Sequence, residues 1–147
     1  MLYFAYGSNL NHKQMKFRCK GAKYLNNYAL NGYKLCFSHK TDHSVFGHAN
    51  IIKSKKEKIK GAIWKITKEH ENELDIYEGV DYGYYQKEYF TYKGKKVLVY
   101  IQKIYYFQKP SSKYLHTIIQ GYKDCLLDTE YLKTVVMKYK INYKINW

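Results

Sequence analysis

The spacing of apolar and polar residues changes twice along the chain. Tyr3–Tyr6 is a compact apolar run that ends at Gly7-Ser8-Asn9, the pattern of a strand running into a turn. Asn11–Asn26 is polar and mixed and reads as a short helix and a loop. Tyr28–Ser38 reads as a strand with an irregularity near Gly32, and Gly47–Lys53 and Lys58–Thr67 read as two more strands. Lys68–Tyr77 has helical character, Asp81–Gly83 is a turn, and Tyr84–Tyr92 with Lys96–Ile104 alternate as a hairpin through Gly94. The period then becomes helical: Tyr114, Leu115, Ile118, Ile119 and Tyr122 fall on one face. Asp128 is placed as the N-cap of a further helix carrying Leu132, Val135, Val136 and Tyr139. Strands, one helix, strands and then helices make an α+β pattern, not regular βαβ winding. No repeat or linker marks a boundary, so one domain over residues 1–147 is expected.

Composition narrows this picture. With 46% apolar residues in 147, the chain is neither disordered nor too short for a core. No apolar run approaches the roughly 20 residues of a spanning helix. Met1–Gly7 has no basic leader and no cleavage-site pattern, and is read as the first strand and not a signal peptide. Cys19, Cys36 and Cys125 are odd in number and widely spaced, which argues for reduced thiols in a cytoplasmic protein. The net charge of +14 invites a nucleic-acid reading. Arg18 is the only arginine, however, and the lysines are dispersed apart from Lys53–Lys60. Recognition surfaces favour arginine for its planar fork, so weak, salt-sensitive adhesion to polyanions is expected and no specific nucleic-acid binding.

Four constellations bear on chemistry. At Tyr6-Gly7-Ser8-Asn9, a glycine straight after a buried strand lets backbone approach a ligand, and successive N–H groups form a nest for a carboxylate or oxyanion. Ser8 and Asn9 add side-chain donors; an ordinary strand-ending turn uses the same residues. Glu78 follows Leu74 by four positions on a helix whose inward face is marked by Ile66, Leu74 and Tyr77. Desolvation there would raise its pKa towards neutrality, with Gly79 ending the helix; the alternative is a frayed last turn with Glu78 in solvent. His39, Asp42, His43 and His48 lack a metal-binding signature and read as a polar loop. Ser111-Ser112-Lys113-Tyr114 after Pro110 reads as a helix start, with Tyr114 either a core aromatic or a hydroxyl reaching a pocket.

In order along the chain, Tyr3-Phe4-Ala5-Tyr6-Gly7-Ser8-Asn9-Leu10, Gly47-His48-Ala49-Asn50-Ile51, Gly61-Ala62-Ile63-Trp64, Leu74-Asp75-x-x-Glu78-Gly79-Val80 with Tyr85, and Pro110-Ser111-x-x-Tyr114 with Ile118-Ile119-x-Gly121 resemble the γ-glutamylcyclotransferase family. The resemblance runs from about Leu2 to Lys133. It implies a mixed, mostly antiparallel sheet curled towards a barrel with a few flanking helices. It also implies an intramolecular reaction without metal or cofactor, in which the α-amine of a γ-glutamyl group attacks its own γ-carbonyl to give 5-oxoproline and a free amine. By that resemblance Glu78 is the acid–base residue, and Tyr3, Phe4, Ala5, Tyr6, Gly7, Ser8, Asn9, Tyr85 and Tyr114 bind the substrate. The partner implied is a small γ-glutamyl molecule, with no membrane; a homodimer is left open. Asn9 after Ser8 resembles the γ-glutamyl amino acid branch. The glutathione-specific branch has Tyr-Gly-Ser-Leu and the γ-glutamylamine branch Tyr-Gly-Thr-Leu. Leu126-Leu127-Asp128 replaces that branch's Gly-Leu-Pro, and Phe46-Gly47-His48 replaces its glycine pair, which leaves the leaving group open. Rivals are an enzyme of the same fold acting on a γ-glutamylated secondary metabolite, a non-catalytic γ-glutamyl-binding protein, and a basic nucleic-acid-binding protein.

Overall fold

The computed structural model describes residues 1–147. Alternating half-buried residues produce two long strands, β2 (Lys23–His39) and β3 (His48–Lys65), paired antiparallel from Lys23↔Lys65 to Ser38↔His48. The two strands expected at Gly47–Lys53 and Lys58–Thr67 are therefore one. The register jumps from Asn31↔Lys58 to Tyr33↔Lys53, so Gly32, at φ +84°, faces a bulge of residues 54–57. β2 also begins inside the segment expected to be loop. Its first half exposes Lys23, Leu25 and Asn27 and half-buries Tyr24, Asn26 and Tyr28, so apolar and polar residues fall on both faces and conceal the alternation.

The sheet has the order β4-β5-β1-β3-β2-β6. β1 (Leu2–Ala5) lies antiparallel to β3 and parallel to β5 (Lys95–Ile101). β4 (Gln86–Tyr92) forms the expected hairpin with β5 through Lys93-Gly94, both at positive φ. β6 (Tyr106–Phe107) is a short edge on β2. The sheet is thus mixed and mostly antiparallel, and it curls into a half-barrel. Tyr28 of β2 stacks on Phe90 of β4 with ring centroids 5.7 Å apart, and Asn26 Nδ2 donates to the Tyr92 hydroxyl at 3.2 Å. Beyond the end of β5, the Gln102 N–H donates to Asn50 Oδ1 at 2.9 Å while Asn50 Nδ2 donates to the Gln102 carbonyl at 3.2 Å. The Asn50 amide thereby imitates a strand partner and draws the sheet closed.

Helices flank this sheet: α1 (His12–Arg18), α2 (Lys68–Tyr77), α3 (Ser112–Asp124) and α4 (Glu130–Val136). Ser111 caps α3 by accepting from the Tyr114 N–H at 3.2 Å, and Leu115, Ile118, Ile119 and Tyr122 are buried against a core of 34 residues. Asp128 is not the cap of α4. Thr129 holds that position, and Asp128 Oδ1 accepts from the Glu130 N–H at 2.9 Å in the manner of an Asx turn. α4 ends before Tyr139, whose hydroxyl instead accepts from the Phe37 N–H at 2.7 Å and donates to the Phe37 carbonyl at 2.9 Å. No helix is long and apolar enough to cross a membrane, and the three cysteines are free and buried.

α3 lies directly against the 3-10 turn Ser8–Leu10 that follows β1. The contact is made at Gly121, where a methyl group would fall 2.6 Å from the Asn11 nitrogen and 2.7 Å from the Leu10 carbonyl carbon. Both neighbours are backbone, so neither can move aside cheaply. Asn11 Nδ2 adds a hydrogen bond to the Thr117 carbonyl at 3.1 Å. Gly121→Ala is expected to destabilise the protein by about 1–3 kcal/mol through overpacking. Thermal melting checks this; an unchanged Tm would mean the turn is not held against α3.

Candidate active site

β1 ends in the core, and Gly7 begins the turn that leaves it. A methyl group on Gly7 would lie 2.7 Å from Ala49 Cβ of β3, so only glycine allows the turn to pass this close. Within the turn, Leu10 donates to the Gly7 carbonyl and Asn11 to the Ser8 carbonyl, each at 3.0 Å. The N–H groups of Gly7, Ser8 and Asn9 are those a helical start leaves without an internal partner. Asn9 departs from expectation. Its side chain is not an open donor but a buried hub: Oδ1 accepts from Gln14 Nε2 at 2.9 Å and from Arg18 at 3.2 Å, and Nδ2 donates to the Tyr3 hydroxyl at 3.0 Å. Gln14 Nε2 also donates to Ser8 Oγ at 2.8 Å.

Glu78 arrives from the other side of the fold. A capping box of Thr67 and His70 starts α2. Tyr100 of β5 donates to Asp75 Oδ1 at 2.7 Å, and Lys87 of β4 bonds Asp75 Oδ2 at 2.8 Å, which together pin the last turn. Glu78 is the C-cap residue, and Gly79, in the left-handed region at φ +61°, turns the chain away immediately after it. Leu74 is fully buried as expected. Ile66 precedes the helix, and Tyr77 is 44% exposed, so the inward face is narrower than the sequence spacing implied.

Both elements open into one cavity of about 380 Å³, lined by Tyr3, Tyr6, Gly7, Ser8, Asn9, Arg18, His48, Ala49, Tyr77, Glu78, Gly79, Tyr82, Tyr84, Tyr85, Tyr100 and Tyr114. The Glu78 carboxylate faces it without a hydrogen-bond partner, which excludes the frayed, solvated alternative. Glu78 keeps partial exposure through the cavity. Burial raises its pKa to about 7, and the Arg18 guanidinium limits the rise. Three of the lining tyrosines spend their hydroxyl protons elsewhere: Tyr6 on the Tyr100 carbonyl at 2.5 Å, Tyr85 on the Ala49 carbonyl at 2.6 Å, and Tyr100 on Asp75. The other two deep tyrosines accept instead: Tyr3 from Asn9, and Tyr114 from the Ala49 N–H at 2.9 Å. An accepting hydroxyl keeps its own proton to donate, so Tyr3 and Tyr114 are the deep tyrosines able to offer one to a ligand.

Comparison with known proteins identifies the family and the fold. The family model "Gamma-glutamyl cyclotransferase, AIG2-like" matches residues 3–123. The chain belongs to this family. It is similar to the γ-glutamylcyclotransferases of Homo sapiens (34% identical, covering 88% of this chain and 74% of the human protein) and Bos taurus (33% identical, covering 90% and 75%). A solved γ-glutamyl cyclotransferase superposes with a TM-score of 0.81 at 30% identity, covering 99% of this chain and 93% of that one.

Of the residues singled out in the sequence, the cavity gathers Tyr3, Tyr6, Gly7, Ser8, Asn9, Glu78, Tyr85 and Tyr114. Phe4 and Ala5 are not there. Both are fully buried in the core, and Phe4 packs edge-to-face on Tyr28 and Phe90. Strand alternation sends the Phe4 side chain to the opposite face from Tyr3. Asp42, His43 and His48 are all exposed, and His48 also lines the cavity, with its ring 4.9 Å from that of Tyr114. Sequence reasoning missed Arg18, Tyr77, Tyr82, Tyr84 and Tyr100 as cavity residues. The lone arginine was a signal available for the first of them.

Glu78 has a consequence for stability. Its folded pKa lies near 7 against 4.5 for the ordinary group, so between those values the unfolded chain gives up the proton first. Ionising Glu78 therefore costs the folded state progressively as pH rises through that window. Glu78→Gln is expected to keep the fold and to melt above the native protein. The gap in Tm should open from about pH 4.5 to 7 and stay constant above it. A gap that does not change with pH would contradict the buried, unpartnered carboxyl.

Proposed function

We propose that this protein is a γ-glutamylcyclotransferase that converts a γ-glutamyl amino acid or amine to 5-oxoproline and the free amine. The observation that carries the reading is the unpartnered Glu78 carboxylate in the same cavity as the Gly7–Asn9 turn. Both reacting groups belong to one substrate molecule, so the main requirement is to hold it in its ring-closing conformer. Glu78 takes a proton from the attacking α-nitrogen and returns it to the departing nitrogen as the amide C–N bond breaks. A pKa near 7 suits a group that must both accept and give.

Charge develops on the γ-carbonyl oxygen during ring closure. The N–H groups of Gly7 and Ser8, rigidly placed by the packing on Ala49 and α3, act as the oxyanion donors in this reading. The Tyr3 and Tyr114 hydroxyls supply further hydrogen bonds to the γ-glutamyl unit. Tyr6 and Tyr85 shape the cavity through their rings, since their protons are committed to backbone carbonyls. Arg18 is the one fixed cation on the cavity wall, and it offsets the charge that Glu78 carries when ionised.

The test is mass-spectrometric detection of 5-oxoproline after incubation with a γ-glutamyl library. Glu78→Gln is expected to lower its release about 10²–10⁴-fold; turnover near that of the native protein would overturn the mechanism. In the native protein kcat/KM should rise with pH and level off above about 7, reporting the carboxylate as base. An acid limb far below that value would remove Glu78 from the role.

A further inference from the structure

The deep part of the cavity accounts for the γ-glutamyl unit, but the rim has a different composition. Tyr77, Tyr82 and Tyr84 are 44%, 75% and 39% exposed, and all three line the cavity. The chain has 19 tyrosines, so their number alone means little. Their placement is informative: large aromatic side chains left in solvent on one side of a pocket mark a binding surface. The Tyr77 and Tyr84 rings are also held in place, and Tyr82 is tied through its backbone. The Arg18 guanidinium lies 4.2 Å from the centre of the Tyr77 ring. Lys40 Nζ lies 5.2 Å from the Tyr84 ring centre and bonds the Tyr82 carbonyl at 2.5 Å. Tyr84 is packed over Gly79 as well, since a methyl group there would meet its ring at 3.0 Å.

The fixed charges that touch the rim rings are cationic, and Asp81, exposed beside Tyr82 in the chain, does not line the cavity. Arg18 and Lys40 stand beside the rings, and the only carboxylate lining the cavity is Glu78. A cationic leaving group such as a polyamine would meet two like charges on departure. A leaving group with its own carboxylate and a flat apolar side chain would meet complementary charge and aromatic faces.

Building on the cyclotransferase reading above, we propose that Tyr77, Tyr82 and Tyr84 form a leaving-group subsite that selects γ-glutamyl amino acids with an aromatic side chain. Tyr82 is the most exposed of the three, and its side chain makes no hydrogen bond. It is therefore the position where substitution tests the subsite with least disturbance to folding.

The experiment measures kcat/KM for 5-oxoproline release from γ-glutamylphenylalanine, γ-glutamylalanine, γ-glutamylphenethylamine and γ-glutamylputrescine. The native protein should favour the phenylalanine compound over the alanine one by roughly tenfold, and over the putrescine one by more. The phenethylamine compound, which lacks the second carboxylate, should fall between. In Tyr82→Ala the phenylalanine-to-alanine ratio should drop several-fold, and Tyr82→Phe should restore it. 5-Oxoproline release with no preference for the aromatic compound, or a ratio unchanged in Tyr82→Ala, overturns the subsite and leaves the cyclotransferase reading standing. Release from none of the four overturns both.

Discussion

A carboxylate packed among aromatic rings without a hydrogen bond is the constraint around which this protein is arranged. Such a group is costly to bury, and it persists only where the surrounding structure determines its position. Here the last turn of α2 is tied down by Tyr100 and Lys87 through Asp75, and Gly79 removes the chain from the site at once. The tyrosines around Glu78 would be obvious donors to it. Tyr6, Tyr85 and Tyr100 instead give their protons to the Tyr100 carbonyl, the Ala49 carbonyl and Asp75. Their rings crowd the carboxyl while their hydroxyls give it no hydrogen bond, and the raised pKa follows from that partial desolvation.

The turn facing this carboxylate is rigid for a related reason. It is compressed between β3 at Ala49 and α3 at Gly121, and at both contacts glycine is what permits the approach. Tyr114 connects the two supports, since it belongs to α3 and accepts the Ala49 N–H of β3. Asn9 adds a polar tie by joining α1, through Gln14 and Arg18, to Tyr3 of β1. Donors placed this way need little reorganisation when charge develops, which is the condition for electrostatic stabilisation to be effective. The curled sheet supports the arrangement as a whole. The parallel pairing of β1 with β5 sets the end of the first strand beside Tyr100, and the Asn50–Gln102 bonds keep β5 close to β3.

Aromatic residues serve two distinct purposes in the cavity. Deep tyrosines combine an apolar body with a polar tip that is either spent or held in reserve. Rim tyrosines are exposed and are placed by cations, Arg18 on one and Lys40 on another. The same residue type therefore builds both the enclosed depth of the cavity and a rim that meets solvent.

Much of this was legible in the order of residues. The strand before Gly7, the helix at Lys68–Tyr77, the hairpin through Gly94 and the apolar face of α3 are local matters of period and turn chemistry, and each formed where its pattern lies. Glu78 stood out because it extends an apolar stripe immediately before a glycine. Other features were settled only by tertiary contact. Whether Glu78 is buried depends on rings from β1, β5 and α3, which no local window contains. Phe4 and Ala5 share a segment with Tyr3 and Tyr6, but the core took the first pair and the cavity the second. β3 was one strand and not two because β2 could pair across the bulge opposite Gly32. Arg18, Lys40 and the rim tyrosines acquire meaning only when α1, the β2–β3 connection and the segment after α2 meet at one opening. Sequence by itself marked the local elements whose period is regular and singled out Glu78, because period and turn chemistry act over short distances. The tertiary structure decided that residue's basicity and its company, because desolvation depends on everything packed around it.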